Sequence, residues 1–88
     1  PLFMSPEQAS GESRLDPRSD LYSLGALGYY LLVGKPPLEG ESAWRVMIAH
    51  ARDPVIPPSF WMSHVPDDLE AILLKCLSKN PSERYASA

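Results

Sequence analysis

The side chains in this sequence that could ligate a metal, attack a substrate or cradle a phosphate are few, and no familiar reactive constellation is formed among them. His50 and His64 stand without a second histidine or cysteine at metal-ligand spacing, and Cys76 has no partner cysteine, so a zinc-type site has no candidate. Gly25 and Gly28 lie in an apolar run that lacks both the Gly-x-Gly-x-x-Gly pattern and a Gly-Lys-Ser/Thr ending. They are read as places where neighbouring segments come close, not as a phosphate loop. Gly40-Glu41-Ser42 is followed by Ala43-Trp44 and so fails the Gly-x-Ser-x-Gly pattern of a nucleophile elbow. Taken singly, Asp20 is a first-turn helix carboxylate, Glu7 a surface carboxylate and Arg84 a surface cation.

The elements that would position these side chains are helical. Ten prolines fall between apolar patterns rather than within them and divide the sequence into four helical blocks. Residues 19–33 are apolar on nearly every face, as in a helix at the centre of a structure, with Ser19 or Asp20 as the cap and Gly34 as the left-handed stop. Residues 42–52 place Trp44, Met47, Ile48 and Ala51 on one stripe, which predicts a surface helix buried along that line. Residues 53–66 have no period and read as an extended loop pinned by Phe60, Trp61 and Met62. Residues 67–78 carry the stripe Leu69, Ile72, Leu73, Cys76 and Leu77, with Asp67 and Glu70 resembling a capping box. Cys76 is thereby assigned to the core, and Ser82 is the expected cap of a further helix. No strand-like alternation of useful length intervenes, so the fold class is mainly α.

Composition narrows the function classes. The 88 residues allow one domain at most, and the start at Pro1 within an apolar stretch is read as lying inside a longer chain. Eight basic and eleven acidic side chains give a net charge of -3, which excludes the clustered basic footprint of a nucleic-acid binder. The longest apolar stretch, residues 21–33, is short of the roughly 20 residues a membrane span requires, so no membrane contact is expected within this segment. A single cysteine fits a reducing compartment, and a cytoplasmic location is expected, with any membrane helix lying elsewhere in a longer chain.

Three separated strings carry a family resemblance. They are Ser5-Pro6-Glu7 after Pro1-Leu2-Phe3-Met4, then Asp20-Leu21-Tyr22-Ser23-Leu24-Gly25, then Asn80-Pro81-Ser82-Glu83-Arg84. In order, they resemble the Ala-Pro-Glu end of the kinase activation segment, the Asp-x-Trp-Ser-x-Gly start of the central helix, and the Asn-Pro-x-x-Arg turn near the end of the domain. Gly34-Lys35-Pro36-Pro37 is similar to the Gly-x-x-Pro-Phe turn that follows the central helix, with Leu38 where phenylalanine is frequent. Ser5 for alanine and Tyr22 for tryptophan are the departures. The whole chain resembles part of a eukaryotic-type serine/threonine protein kinase, in wording nearest to bacterial members.

The resemblance implies a partial kinase C-lobe: the end of the activation segment, the central apolar helix and the helices after it, an incomplete domain over residues 1–88. It implies that Pro1, Leu2, Phe3 and Met4 form part of the substrate platform. It further implies that Glu7 and Arg84 form a structural ion pair and that Asp20 anchors the backbone of the catalytic loop. Loss of one partner of such a pair costs about 3 to 5 kcal/mol. The glycine-rich loop, paired lysine, catalytic aspartate and metal-holding aspartate of a kinase have no counterparts here. No catalytic, cofactor-binding or metal residue is therefore expected in this segment. ATP and Mg²⁺ belong to a parent enzyme that phosphorylates protein Ser or Thr, and the partners are a protein substrate and the remainder of the kinase domain. A pseudokinase or truncated product docking proteins through the Trp44 helix and the Phe60-Trp61 loop is the alternative. An unrelated all-α adaptor would leave Glu7 and Arg84 far apart. In each case the residue 19–33 helix, without partners on every side, is expected to expose apolar surface.

Overall fold

The computed structural model describes residues 2–11 and 17–86, which contain five α-helices, one 3₁₀ turn and no strand. The helices are α1 (Pro6–Ala9), α2 (Pro17–Val33), α3 (Ala43–Arg52), α4 (Pro58–Trp61) and α5 (Asp67–Cys76), and the 3₁₀ turn is Pro81–Glu83. Proline opens α1, α2, α4 and the 3₁₀ turn, at the position where a missing N–H leaves no helical bond unmade. None of the helices in the described residues is long and apolar enough to cross a membrane.

Helix α2 is the axis of the molecule. Leu21, Tyr22, Gly25, Ala26 and Tyr29 face inward, and Tyr22, Ala26 and Tyr29 meet Leu77 in the central cluster, with Val33 and Val55 packed alongside. Its other face, bearing Leu24, Leu27, Tyr30 and Leu31, is exposed, Leu31 to 74%. The all-round apolar pattern therefore has cover on one side among the described residues. Gly34, at φ +86°, closes the helix, and its N–H donates to Tyr30 O at 2.8 Å.

Glycines set how closely α2 and α5 approach. A Cβ on Gly25 would lie 2.7 Å from Cys76 Cβ, and one on Gly28 would lie 3.0 Å from Leu73 Cδ2. Cys76 is accordingly buried in this seam, and burial pushes its thiol above the usual range, an inert small apolar role.

Local expectations fail in five places. On α3 the buried residues are Val46, Ala49 and His50, whereas Trp44 is 71% exposed, so the buried face lies roughly half a turn around the helix from the Trp44, Met47, Ile48, Ala51 stripe. The reason is His50, whose ring nitrogens both find partners inside. On α5 Leu73, Cys76 and Leu77 are buried, but Leu69 and Ile72 are exposed. Pro66, not Asp67, precedes α5, and Glu70 accepts a hydrogen bond from Ser59 N at 2.7 Å instead of closing a capping box. Helix α2 starts at Pro17, which places Ser19 and Asp20 inside its first turn rather than at its cap. Asn80 rather than Ser82 caps the final turn, its Oδ1 accepting from Ser82 N at 3.0 Å.

The connection after α3 is pinned by Trp61 but not by Phe60 or Met62, which are exposed, and it contains the short α4 in place of a fully extended loop. Trp61 Nε1 donates to Tyr29 Oη at 3.0 Å, Tyr29 Oη donates to Ile56 O at 2.7 Å, and the Lys35 ammonium sits 3.5 Å from the Trp61 ring centre.

Gly25→Ala is expected to be destabilising by about 1 to 3 kcal/mol in chemical denaturation, because the clash with Cys76 outweighs the helix propensity gained. A stability gain would show that α2 and α5 do not meet this closely.

Candidate functional site

The residues with the most constrained electrostatics lie where the two ends of the described chain meet. Helix α1 is short but well fixed: Ser5 Oγ accepts from Gln8 N at 3.3 Å, and Gln8 Oε1 accepts from Ser5 N at 2.9 Å, a reciprocal capping box. That box aims the Glu7 carboxylate at the turn formed by residues 78–84. Arg84 Nη1 donates to Glu7 Oε2 at 2.8 Å and Nη2 donates to Glu7 Oε1 at 2.9 Å, a bidentate pair between residues 77 positions apart.

All five guanidinium N–H groups are satisfied. Besides the two bonds to Glu7, Nε donates to Ser78 O at 2.8 Å, Nη1 to Arg18 O at 2.9 Å and Nη2 to Lys79 O at 3.2 Å. The Arg84 side chain is wholly buried, and that of Glu7 is 10% exposed. Ser19 Oγ donates to Glu7 Oε2 at 2.6 Å, which brings the first turn of α2 into the same network. Arg84 Cζ also lies 4.9 Å from the ring centre of Tyr22. Burial pushes the Glu7 carboxyl upward, but hydrogen bonds from Arg84 and Ser19, a main-chain hydrogen bond and the guanidinium charge outweigh it. They hold the pKa at about 2 against the usual 4.5.

A second cluster links α2, α3 and the segment before α1. Tyr22 Oη and His50 Nδ1 are 2.8 Å apart, and His50 Nε2 lies 3.1 Å from Leu2 O. Phe3 packs edge-on against Tyr30, with ring centres 6.1 Å apart. Leu2 and Phe3 remain partly exposed, and Met4 is half-buried. Of the four residues for which the resemblance implies a platform role, Leu2 and Phe3 are tied to His50 and Tyr30 and Met4 is half-buried, while Pro1 lies outside the described residues.

Asp20 is exposed on the first turn of α2, beside Pro17, Leu21 and Leu24 at a shallow depression, away from the Glu7–Arg84 pair. Ser19, Tyr22 and His50 were not singled out as site residues by sequence reasoning. In the sequence Ser19 offers only a capping signal, Tyr22 stands within the central-helix motif, and His50 shows no partner at metal-ligand spacing. The separation of Glu7 from Arg84 expected of an unrelated adaptor is not found.

Known proteins are similar to this chain. The family model described as protein kinase domain matches residues 1–88. The chain is 48% identical over 86 residues to serine/threonine-protein kinase PknB of Mycobacterium tuberculosis, covering 98% of this chain and 14% of that protein. It is 45% identical over 86 residues to the probable serine/threonine-protein kinase SCO3848 of Streptomyces coelicolor, covering 98% of this chain and 13% of that one. Among solved structures, the twitchin kinase region from C. elegans superposes with a TM-score of 0.86 at 26% identity, over 97% of this chain and 15% of the other. The chain therefore spans about one seventh of the length of the curated relatives it matches.

Because the folded-state pKa of Glu7 is depressed, its contribution to stability is present above pH 4.5 and is lost as the pH falls through about 2. Glu7→Gln is expected to lower stability at pH 7 by about 3 kcal/mol and to converge with the parent protein in acid. Denaturation curves collected between pH 7 and 2 check this, and a pH-independent difference would contradict it.

Proposed function

This chain belongs to the protein kinase domain family, and within it to the serine/threonine kinases, and on that premise we propose that it works inside a longer enzyme transferring the γ-phosphate of ATP to protein Ser or Thr. Its share is the scaffold of the C-lobe and part of the substrate platform, and by itself it is inactive. The observation that carries this reading is the bidentate Glu7–Arg84 clasp, joining the first and third signature strings across the molecule.

In this reading Leu2, Phe3 and Met4, with Pro1 before them, form part of the floor under the substrate residue that follows the phosphoacceptor. Asp20 accepts hydrogen bonds from backbone N–H groups of the catalytic loop. Its carboxylate is exposed and makes no hydrogen bond among the described residues, as such a role requires. The exposed side of α2, with Leu24, Leu27 and Leu31, is the surface against which the remainder of the domain packs.

The described residues do not fit Mg²⁺–ATP. No three His, Cys, Asp or Glu side chains among them converge as a metal site would need, and Gly25 and Gly28 are closed against α5. Nucleotide and metal binding are assigned to other parts of the longer enzyme, placed in the cytoplasm. A docking module without catalysis is the second reading, favoured by the exposure of Trp44 and Phe60.

The test is phosphotransfer from ATP to a Ser/Thr peptide by the kinase chain that contains these residues, with and without Asp20→Ala. The substitution is expected to lower kcat on the order of 10²-fold by misplacing the catalytic loop. Unchanged turnover would remove Asp20 from its assigned role, and absence of peptide phosphorylation by the parent chain would favour the docking module.

A further inference from the structure

His50 is the one histidine among the described residues that is completely buried, and the two ring contacts on either side of it are not equivalent. Leu2 O carries only lone pairs, so the hydrogen bond at 3.1 Å requires that Nε2 carry a hydrogen and donate. The Tyr22 hydroxyl, kept protonated by burial, then donates to Nδ1 at 2.8 Å. The ring is held edge-on to Tyr22, with centres 5.6 Å apart at 73°.

Tyr22 is part of the rigid core of α2, and Leu2 is part of a surface strip with no regular structure. A fixed imidazole between them ties the main chain of that strip to the core. We propose that His50 is a positioning residue for the substrate floor: its Nε2–H holds the Leu2 carbonyl and thereby sets the height of the Leu2–Met4 strip beneath the bound peptide. The proposal rests on the kinase reading of residues 2–4 given above. His50 does not touch substrate. It acts through the Leu2 main chain, so its effect falls on peptide binding and not on nucleotide binding.

Two isosteric substitutions separate the two contacts in the kinase chain containing this segment. His50→Gln places an amide N–H near the Nε2 position and keeps the donor to Leu2 O, whereas His50→Asn keeps a polar group beside Tyr22 and falls short of Leu2. His50→Asn is expected to raise the peptide KM about tenfold while the KM for ATP stays within about twofold, and His50→Gln is expected to restore peptide KM to within about twofold of the parent. Equal effects of the two substitutions, or a loss carried by the KM for ATP, would overturn the proposal. Should the parent chain prove unable to phosphorylate, the functional reading fails, and hydrogen exchange judges the positioning role separately. The amides of residues 3 and 4 should exchange faster in His50→Asn than in the parent and His50→Gln, and equal exchange in all three refutes it. Long-range ¹H–¹⁵N spectra of the unsubstituted protein need no variant to fold: an Nδ1–H tautomer would contradict the proposed hold on Leu2.

Discussion

The structure depends on a guanidinium out of water. Arg84 brings five N–H donors in a fixed planar fork into a site with no solvent, where a charge is tolerated only when it is paired and fully hydrogen-bonded. The surrounding chain meets that demand from three directions: a carboxylate from α1, a main-chain carbonyl from the first turn of α2, and two carbonyls from the turn after α5. No single helix could supply this set. The ion pair therefore acts less as a source of net stability than as a specification of how the segments must be arranged, since a buried pair gains little over an apolar replacement but is costly to break on one side.

Packing transmits that arrangement to the rest of the molecule. Tyr22 touches the guanidinium with its ring face and His50 with its hydroxyl, and it belongs to the central cluster with Ala26, Tyr29 and Leu77. Tyr29 then continues to Trp61 and Ile56, so one face of α2 connects the clasp, at the Tyr22 ring, to the α4 region, at the Tyr29 hydroxyl. Close approach of α5 at Gly25 and Gly28 fixes the position of Leu77 and of the turn that presents Arg84. The surface strip of residues 2–4 is attached to this core through the His50 imidazole and the Phe3–Tyr30 contact.

Much of this was legible in the sequence, and the failures have physical causes. Proline placement marked the breaks, because a proline at a first helical position announces itself without reference to tertiary contacts. The central position of α2, the stop at Gly34, a close approach of some neighbouring segment at Gly25 and Gly28, and the core role of Cys76 followed from periodicity and side-chain size, while the identity of that segment as α5 did not. Glu7 and Arg84 could be paired only through their family motif, since no local pattern links residues 77 positions apart. The facing of α3 differs because the apolar stripe through Trp44 leaves out His50, which is buried. A histidine becomes a core residue when two partners from distant segments satisfy it, and sequence spacing does not display those partners. The same holds for Glu70, whose pattern fits a capping box but whose carboxylate reaches Ser59 instead.

The claim that the Glu7–Arg84 pair organises this segment is tested most directly by a double-mutant cycle, with Glu7→Gln, Arg84→Met and both together in the kinase chain, read by chemical denaturation. Each single substitution strands a partner in the buried site, while the double substitution removes the need for pairing. A coupling of at least about 2 kcal/mol, with the double variant far more stable than the sum of the singles requires, is the expected result. Additivity to within about 0.5 kcal/mol would contradict it, and would mean that the two side chains stabilise the fold independently.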